Sequence, residues 1–202
     1  MLFKKKEKNF LTILQEEVAK QPEGYAAVRI MFQDEARFGR INIPRTCWAP
    51  MGIRPVVGSQ VVREYTYVYA TVSPTDGVLD SLVLPEVNTG VFSLFLEEVS
   101  ARHPEEFIIM FVDGAGWHRT KELILPKNMR LAFLPPYSPE LNPAEHIWEC
   151  IRENWFANKT FNSLDIVENA LVEALVSLEN DAARVQSLTG FHRIVDNVLI
   201  AT

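Results

Sequence analysis

A chain of 202 residues with 48% hydrophobic content can bury one substantial core, and its 23% charged fraction is ordinary for a soluble globular protein. The net charge of −6 argues against a surface that grips nucleic acid all round, but leaves room for a local basic track beside an acidic site. Two cysteines without paired spacing (Cys47, Cys150) and four histidines without zinc-ligand spacing (His103, His118, His146, His192) exclude a disulfide framework and a zinc knuckle. No apolar run reaches the ~18–20 residues of a membrane span, and no secretory core follows the lysine-rich start, so a cytoplasmic protein with no membrane partner is expected.

Residues 1–24 read as a basic lead-in helix or linker ending near Pro22-Glu23-Gly24, with Lys4, Lys5, Lys6 and Lys8 on a solvated face or against phosphates. Ala27 to Gln33 is a strand. Thr46 to Pro55 carries Pro-Met-Gly turn chemistry and reads as a hairpin. Tyr65 to Val72 alternates with a two-residue period, Pro74 to Gly77 turns, and Val78 to Leu84 is a further strand. Asn88 or Thr89 caps a helix to about Arg102, with Phe92, Phe95, Leu96 and Val99 at helical spacing. Phe107 to Val112 is six apolar residues in a row, a strand covered on both faces. A short helix near Thr120 to Leu125 and a strand at Arg130 to Leu134 follow. Asn142 caps a long helix to about Trp155 with Pro143 in its first position, and Ser163 opens another to about Leu178. The order implies a mixed α/β sheet with helices packed on it.

Three carboxylates stand out against this layout. Asp34 shares the parity of Val28, Ile30 and Phe32, and Asp113 that of Phe107, Ile109 and Phe111, so each ends the apolar face of a strand. If the two strands are neighbours, these carboxylates repel, and a divalent cation with hard oxygen ligands, magnesium or manganese, resolves the conflict. Glu145 borders the buried stripe Ala144, Ile147, Trp148, Ile151 and Trp155, which turns it toward the sheet while Glu149 and Glu153 point to solvent. Each acid also has a plainer use: either aspartate simply opens a turn, Asp113-Gly114 being ordinary turn chemistry, and Asn142 to Glu145 fits a capping box. Together, the three suit phosphoryl transfer on two ions ~3.5–4 Å apart, with Asp34, Asp113 and Glu145 as both ligands and catalytic groups. Glu35, Asn142 and His118 are auxiliary candidates; His118 fits a phosphate contact, a metal-bound water or a helix cap, and Trp117 the core or a base-stacking platform. Arg37, Arg40, Arg45 and Arg54 fit a DNA track or a solvated hairpin.

The set Gln33-Asp34-Glu35, Asp113-Gly114-Ala115-Gly116-Trp117-His118 and Tyr137-Ser138-Pro139-Glu140-Leu141-Asn142-Pro143-Ala144-Glu145-His146-Ile147-Trp148 resembles the catalytic domain of mariner-type transposases, most closely the bacterial insertion-sequence-630 branch. Cys47 to Gly52 adds to the likeness, which covers about residues 27–157. The resemblance implies a ribonuclease H-like fold over residues 25–202, a DDE triad of Asp34, Asp113 and Glu145, and magnesium-dependent cleavage at transposon ends. Attack of a 3′-hydroxyl on target DNA, typically at TA, would follow. Only 31 residues separate Asp113 from Glu145, fewer than the family commonly has, which reads as a shortened connection before Arg130. The chain leaves no room for the family's helix-turn-helix domains, so a partner chain or a missing N-terminal domain is expected, with a homodimer plausible from the need to pair ends. A non-catalytic remnant that only associates with a transposase or DNA, and a stand-alone ribonuclease H-like nuclease, are the alternatives.

Overall fold

The computed structural model describes residues 2–41, 44–136 and 138–201. Tyr137 and the side chains of Lys4, Lys5, Lys6 and Lys8 lie outside the described residues, and with them the phosphate contacts considered for those lysines.

Five strands, β1 (Ala27–Gly39), β2 (Tyr65–Ser73), β3 (Val78–Leu84), β4 (Glu106–Val112) and β5 (Met129–Phe133), form one sheet in the order β3-β2-β1-β4-β5. The first three pair antiparallel, whereas β4 and β5 run parallel to β1. A parallel return needs a crossover. Helix α2 (Thr89–Arg102) supplies it between β3 and β4; the Asn88 side chain accepts from the Val91 N–H and starts the helix.

The period of two along the strands sorts side chains onto two faces. Met31, Tyr69, Ile108, Met110 and Val112 meet Phe92, Phe95, Leu96 and Val99 of α2. Ile30, Phe32, Val68, Ala70, Ile109 and Phe111 meet the opposite layer. That layer is built from α1 (Leu2–Ala19), α3 (Ala144–Ile151), α4 (Leu164–Glu179), α5 (Ala182–Thr189) and α6 (His192–Ala201). Phe10 of α1 is buried there, its ring 5.8 Å from Phe32 and 5.0 Å from Phe111. This is the mixed sheet with helices on both faces that the sequence implies.

Three local expectations need correction. β1 does not stop at Gln33: antiparallel pairing with β2 carries it to Gly39, opposite Tyr65, so Asp34 sits within the strand. Thr46 to Pro55 makes the expected tight turn, with Ile53 N–H on the Pro50 carbonyl and Gly52 at φ +83°, but among the described residues no strands flank it. Trp48 and Met51 are fully exposed, so nothing buries the face a hairpin would need. Thr120 to Leu125 forms no helix; a single 3-10 turn at Gly116–His118 precedes it instead.

The expected cap at Asn142 is present, with a further contact. A 3-10 turn at Pro139–Leu141 comes first, and α3 opens only after Pro143, continuing past Ile151 as a π-helical turn at Arg152–Phe156. Asn142 is extended (ψ 101°) because its side chain is stretched between two backbones. Its Nδ2 donates to the Gln33 carbonyl at 3.0 Å, while its Oδ1 accepts from the Ala144 N–H at 3.2 Å. The residue caps α3, as the sequence implies, and is at the same time a strut between α3 and β1.

Candidate active site

Parallel pairing of β1 with β4 aligns Ile30 with Ile109 and Phe32 with Phe111, whose rings stack at 5.2 Å. Carried two residues beyond that pairing, the same register brings Asp34 level with Asp113, just past the end of β4. Asp34 therefore continues the α3 face, where it meets Trp148, whereas Asp113, beyond the strand, turns to His118, whose ring packs on Phe92 of α2. Glu145 arrives in the first turn of α3. Asp34, Asp113 and Glu145 line one cavity of about 490 Å³, together with Arg119 and the Pro135-Pro136 and Ser138-Pro139 loop.

The plainer uses of these acids are partly realised. Asp113 Oδ1 accepts from the Ala115 N–H at 2.9 Å, an ordinary Asx turn. The capping box is not formed with Glu145, because the Asn142 N–H it would reach already donates to the Pro139 carbonyl at 2.9 Å. That leaves Glu145 free of a capping duty at the mouth of the cavity.

Electrostatics separate the two aspartates. Burial, then repulsion by Glu145, pushes Asp34 up to about 7, against a smaller opposing pull from the Trp148 indole. Trp148 Nε1 donates to Asp34 Oδ2 at 2.8 Å. Asp113 is held below the usual carboxylate range, chiefly by His118 and against partial burial. His118 is buried, with Nδ1 2.9 Å from Asp113 Oδ1 and Nε2 3.1 Å from Glu35 Oε1. Burial alone would lower its pKa; the hydrogen bonds to Asp113 and Glu35 outweigh that and raise it to about 9. His118 is therefore an imidazolium at neutral pH, clamped between two carboxylates, with neither ring nitrogen turned to a ligand. Trp117 Nε1 donates to the same Glu35 oxygen at 3.3 Å, which gives this half-buried ring a structural anchor.

Among the described residues, no group of three His, Cys, Asp or Glu side chains stands close enough to hold a metal ion. Asp113 leans to His118, and Asp34 is held by Trp148. The donor chemistry nonetheless fits a hard divalent ion, since carboxylates from three elements open on one cavity.

Two participants are not evident from the sequence. Trp148 reads only as part of a buried stripe, yet its one polar atom orients Asp34; a buried indole N–H needs an acceptor, which is the available signal. Arg119, next after His118, lines the cavity with its guanidinium 4.5 Å from the centre of the Phe133 ring. Of the four arginines considered for a DNA track, Arg40 is engaged by Glu64 and the Phe161 carbonyl, Arg37 lies over Tyr65, and Arg45 borders a second cavity. Arg54 belongs to the irregular segment after the turn. Trp148→Phe keeps the packing and removes the donor. The Asp34 carboxyl, followed by carbon-13 NMR titration, is expected to move up from about 7 by about one unit.

The comparisons with known proteins agree with this geometry. A family model described as DDE superfamily endonuclease matches residues 29–168. An uncharacterized protein of Sinorhizobium fredii, y4pE/y4sA, is 34% identical over 125 residues, 61% of this chain and 93% of that one. Among solved structures, the Mos1 transposase paired-end complex with left transposon end matches at TM-score 0.60 and 17% identity, over 97% of this chain and 61% of that chain. The catalytic domain of Mos1 mariner transposase matches at TM-score 0.52 and 16% identity, over 96% of this chain and 91% of that chain. The chain thus spans about 61% of the length of the Mos1 protein in the DNA complex. The sheet has the ribonuclease H-like fold of that catalytic domain, and with its family model covering residues 29–168 the chain belongs to the DDE superfamily endonucleases.

Proposed function

We propose that this chain is a transposase catalytic domain that cuts DNA at transposon ends and joins the freed end to target DNA, typically at TA. The observation that carries this reading is the cavity lined by Asp34, Asp113 and Glu145, with Asp34 and Glu145 in mutual repulsion. Those three side chains would hold magnesium or manganese, as one or two ions. When bound, the ions activate the attacking water or 3′-hydroxyl and stabilise the leaving oxygen. The rest is done by the protein. Trp148 and Asn142 fix Asp34 and α3 against β1, His118 keeps Asp113 ionised and aimed, and Arg119 offers a cation to a phosphate oxygen at the cavity wall. Such rigid anchoring of the reacting geometry is where most catalysis of this kind arises.

Two further findings support the reading without reaching this chain's own activity. Mos1 structures hold transposon-end DNA, and others are paired-end complexes with Mg or Mn. A helix-turn-helix partner chain or domain, and a homodimer to pair ends, complete the proposal. The non-catalytic alternative draws on one observation, the spread of the three acids.

A nicking assay on supercoiled plasmid separates the two. The protein with magnesium or manganese is expected to nick, Asp113→Asn to lose nicking while keeping its fold, and calcium to bind but support little cleavage, because its looser coordination misplaces the nucleophile. Wild-type nicking by the variant, or efficient turnover with calcium, would discard the assignment.

A further inference from the structure

A second cavity, of about 130 Å³, lies farther along the same two elements that carry Asp34 and Glu145. It is lined by Phe38, Arg45, Arg152, Phe156, Lys159 and Phe161 among others. From Asp34 to Phe38 is four strand residues, about 13 Å, and from Glu145 to Arg152 seven helical residues, about 10 Å. β1 and α3 thus lead together from an acidic site to a basic one.

The basic site is built by the fold. Arg152 is set by the π-helical turn it opens, a local irregularity common at functional sites. Its guanidinium lies 5.1 Å from the centre of the Phe38 ring, so an aromatic face orients it and its N–H fork stays available. Asn158, in the left-handed region at φ 59°, ends that helix and accepts the Arg45 N–H on Oδ1 at 2.9 Å. The opposite wall is held at Phe161, whose N–H donates to Gln60 Oε1 and whose carbonyl accepts from Gln60 Nε2 and Arg40 Nε. Among the described residues no carboxylate forms an ion pair with Arg45, Arg152 or Lys159, whereas Arg40 beside them is neutralised by Glu64. Arg37 also borders the cavity, but its guanidinium lies over Tyr65 on the other face of the sheet. In a chain of net charge −6, three cations around one hollow without an ion-paired carboxylate are a concentration of charge that the fold itself does not use.

We propose that Arg45, Arg152 and Lys159 form a phosphate-binding pocket that takes a DNA backbone phosphate a few nucleotides from the one placed at Asp34, Asp113 and Glu145. The proposal rests on the DNA reading above. The pocket would set how far along the strand the cut falls, and would act on any sequence, since phosphates carry no sequence information.

The test uses a fluorescently labelled DNA duplex and the full chain, with binding followed by anisotropy between about 50 and 200 mM salt. The double variant Arg152→Gln with Lys159→Gln is expected to bind about tenfold more weakly at every sequence, and to flatten the dependence of log affinity on log salt by about 0.9 for each phosphate no longer neutralised. Lys127→Gln, an exposed lysine at the other end of the sheet, should change neither. Arg45→Gln, in the irregular segment, is the second probe should the double variant fail to fold. Wild-type affinity and salt slope in the double variant, or in Arg45→Gln, would overturn the pocket while leaving the nicking reaction intact. Absence of both duplex binding and nicking in the wild-type chain would overturn the pocket and the DNA reading together.

Discussion

Asp34→Asn is expected to abolish metal-dependent nicking and at the same time to stabilise the metal-free protein. Asp34 is pushed up to about 7 from an ordinary 3.8, by burial first and Glu145 second. Between those values the folded chain keeps a proton that the unfolded chain has released. Folding stability attached to this group is therefore fully present below about pH 4 and is lost as the pH rises through 7. Each unit is worth about 1.4 kcal/mol, so the ionised side chain costs on the order of 4 kcal/mol at pH 8. Asparagine has no charge to desolvate and still offers an oxygen to Trp148. For a domain of this size, relief of that cost corresponds to a rise in melting temperature of roughly 10 °C. Manganese should narrow the gap, since it stabilises only the protein that binds it. Calorimetry of both proteins at pH 8, with and without manganese, checks all three expectations. An unchanged melting temperature in the variant would show that Asp34 is not held at a cost.

His118→Ala is expected to damage both the fold and the reaction. The imidazolium separates Glu35 from Asp113 in a buried position, and its removal leaves Glu35, whose side chain is only 9% exposed, without its cation. Breaking a buried pair from one side costs about 3 kcal/mol. Asp113 loses the partner that holds its pKa down and aims its Oδ1, and displacement of about 1 Å at such a group can cost a hundredfold in rate. The pH dependence has a definite sign: the stability from this clamp is fully present below about pH 6.5 and disappears as the pH rises through 9. Adding Glu35→Gln to the alanine variant should recover part of the stability but not the rate, because Asp113 remains unaimed. Equal recovery of both would reduce His118 to a purely structural role.

How far these features can be read from residues alone depends on how local their causes are. The six-residue apolar run of β4 and the helical spacing of Phe92, Phe95, Leu96 and Val99 are set by burial patterns a few residues wide, and both stand as read. The common register of Asp34 and Asp113 follows from matching parities once the strands are adjacent. By contrast, the continuation of β1 to Gly39 depends on a partner strand beginning at Tyr65, across an irregular segment no local pattern spans. The missing hairpin at Thr46 to Pro55 fails for a similar reason: turn chemistry is present, but no surface covers its flanks. Asn142 caps α3 as its composition suggests, but its second bond, to a carbonyl 109 positions away in sequence at Gln33, has no local signal. The clamp at His118 is equally hidden, since Glu35 has no sequence signal linking it to a histidine so distant.

Phe10 gives the start of the chain an influence on the chemistry. Its ring closes against Phe32 and Phe111, the residues two positions before Asp34 and Asp113. Phe10→Ala would remove that ring and leave a void behind Phe32 and Phe111, at a cost of about 3–5 kcal/mol if the site does not collapse. If it does collapse, the two strand tips would tilt and carry their carboxylates with them. The first helix is in that sense the back wall against which the reacting groups are braced.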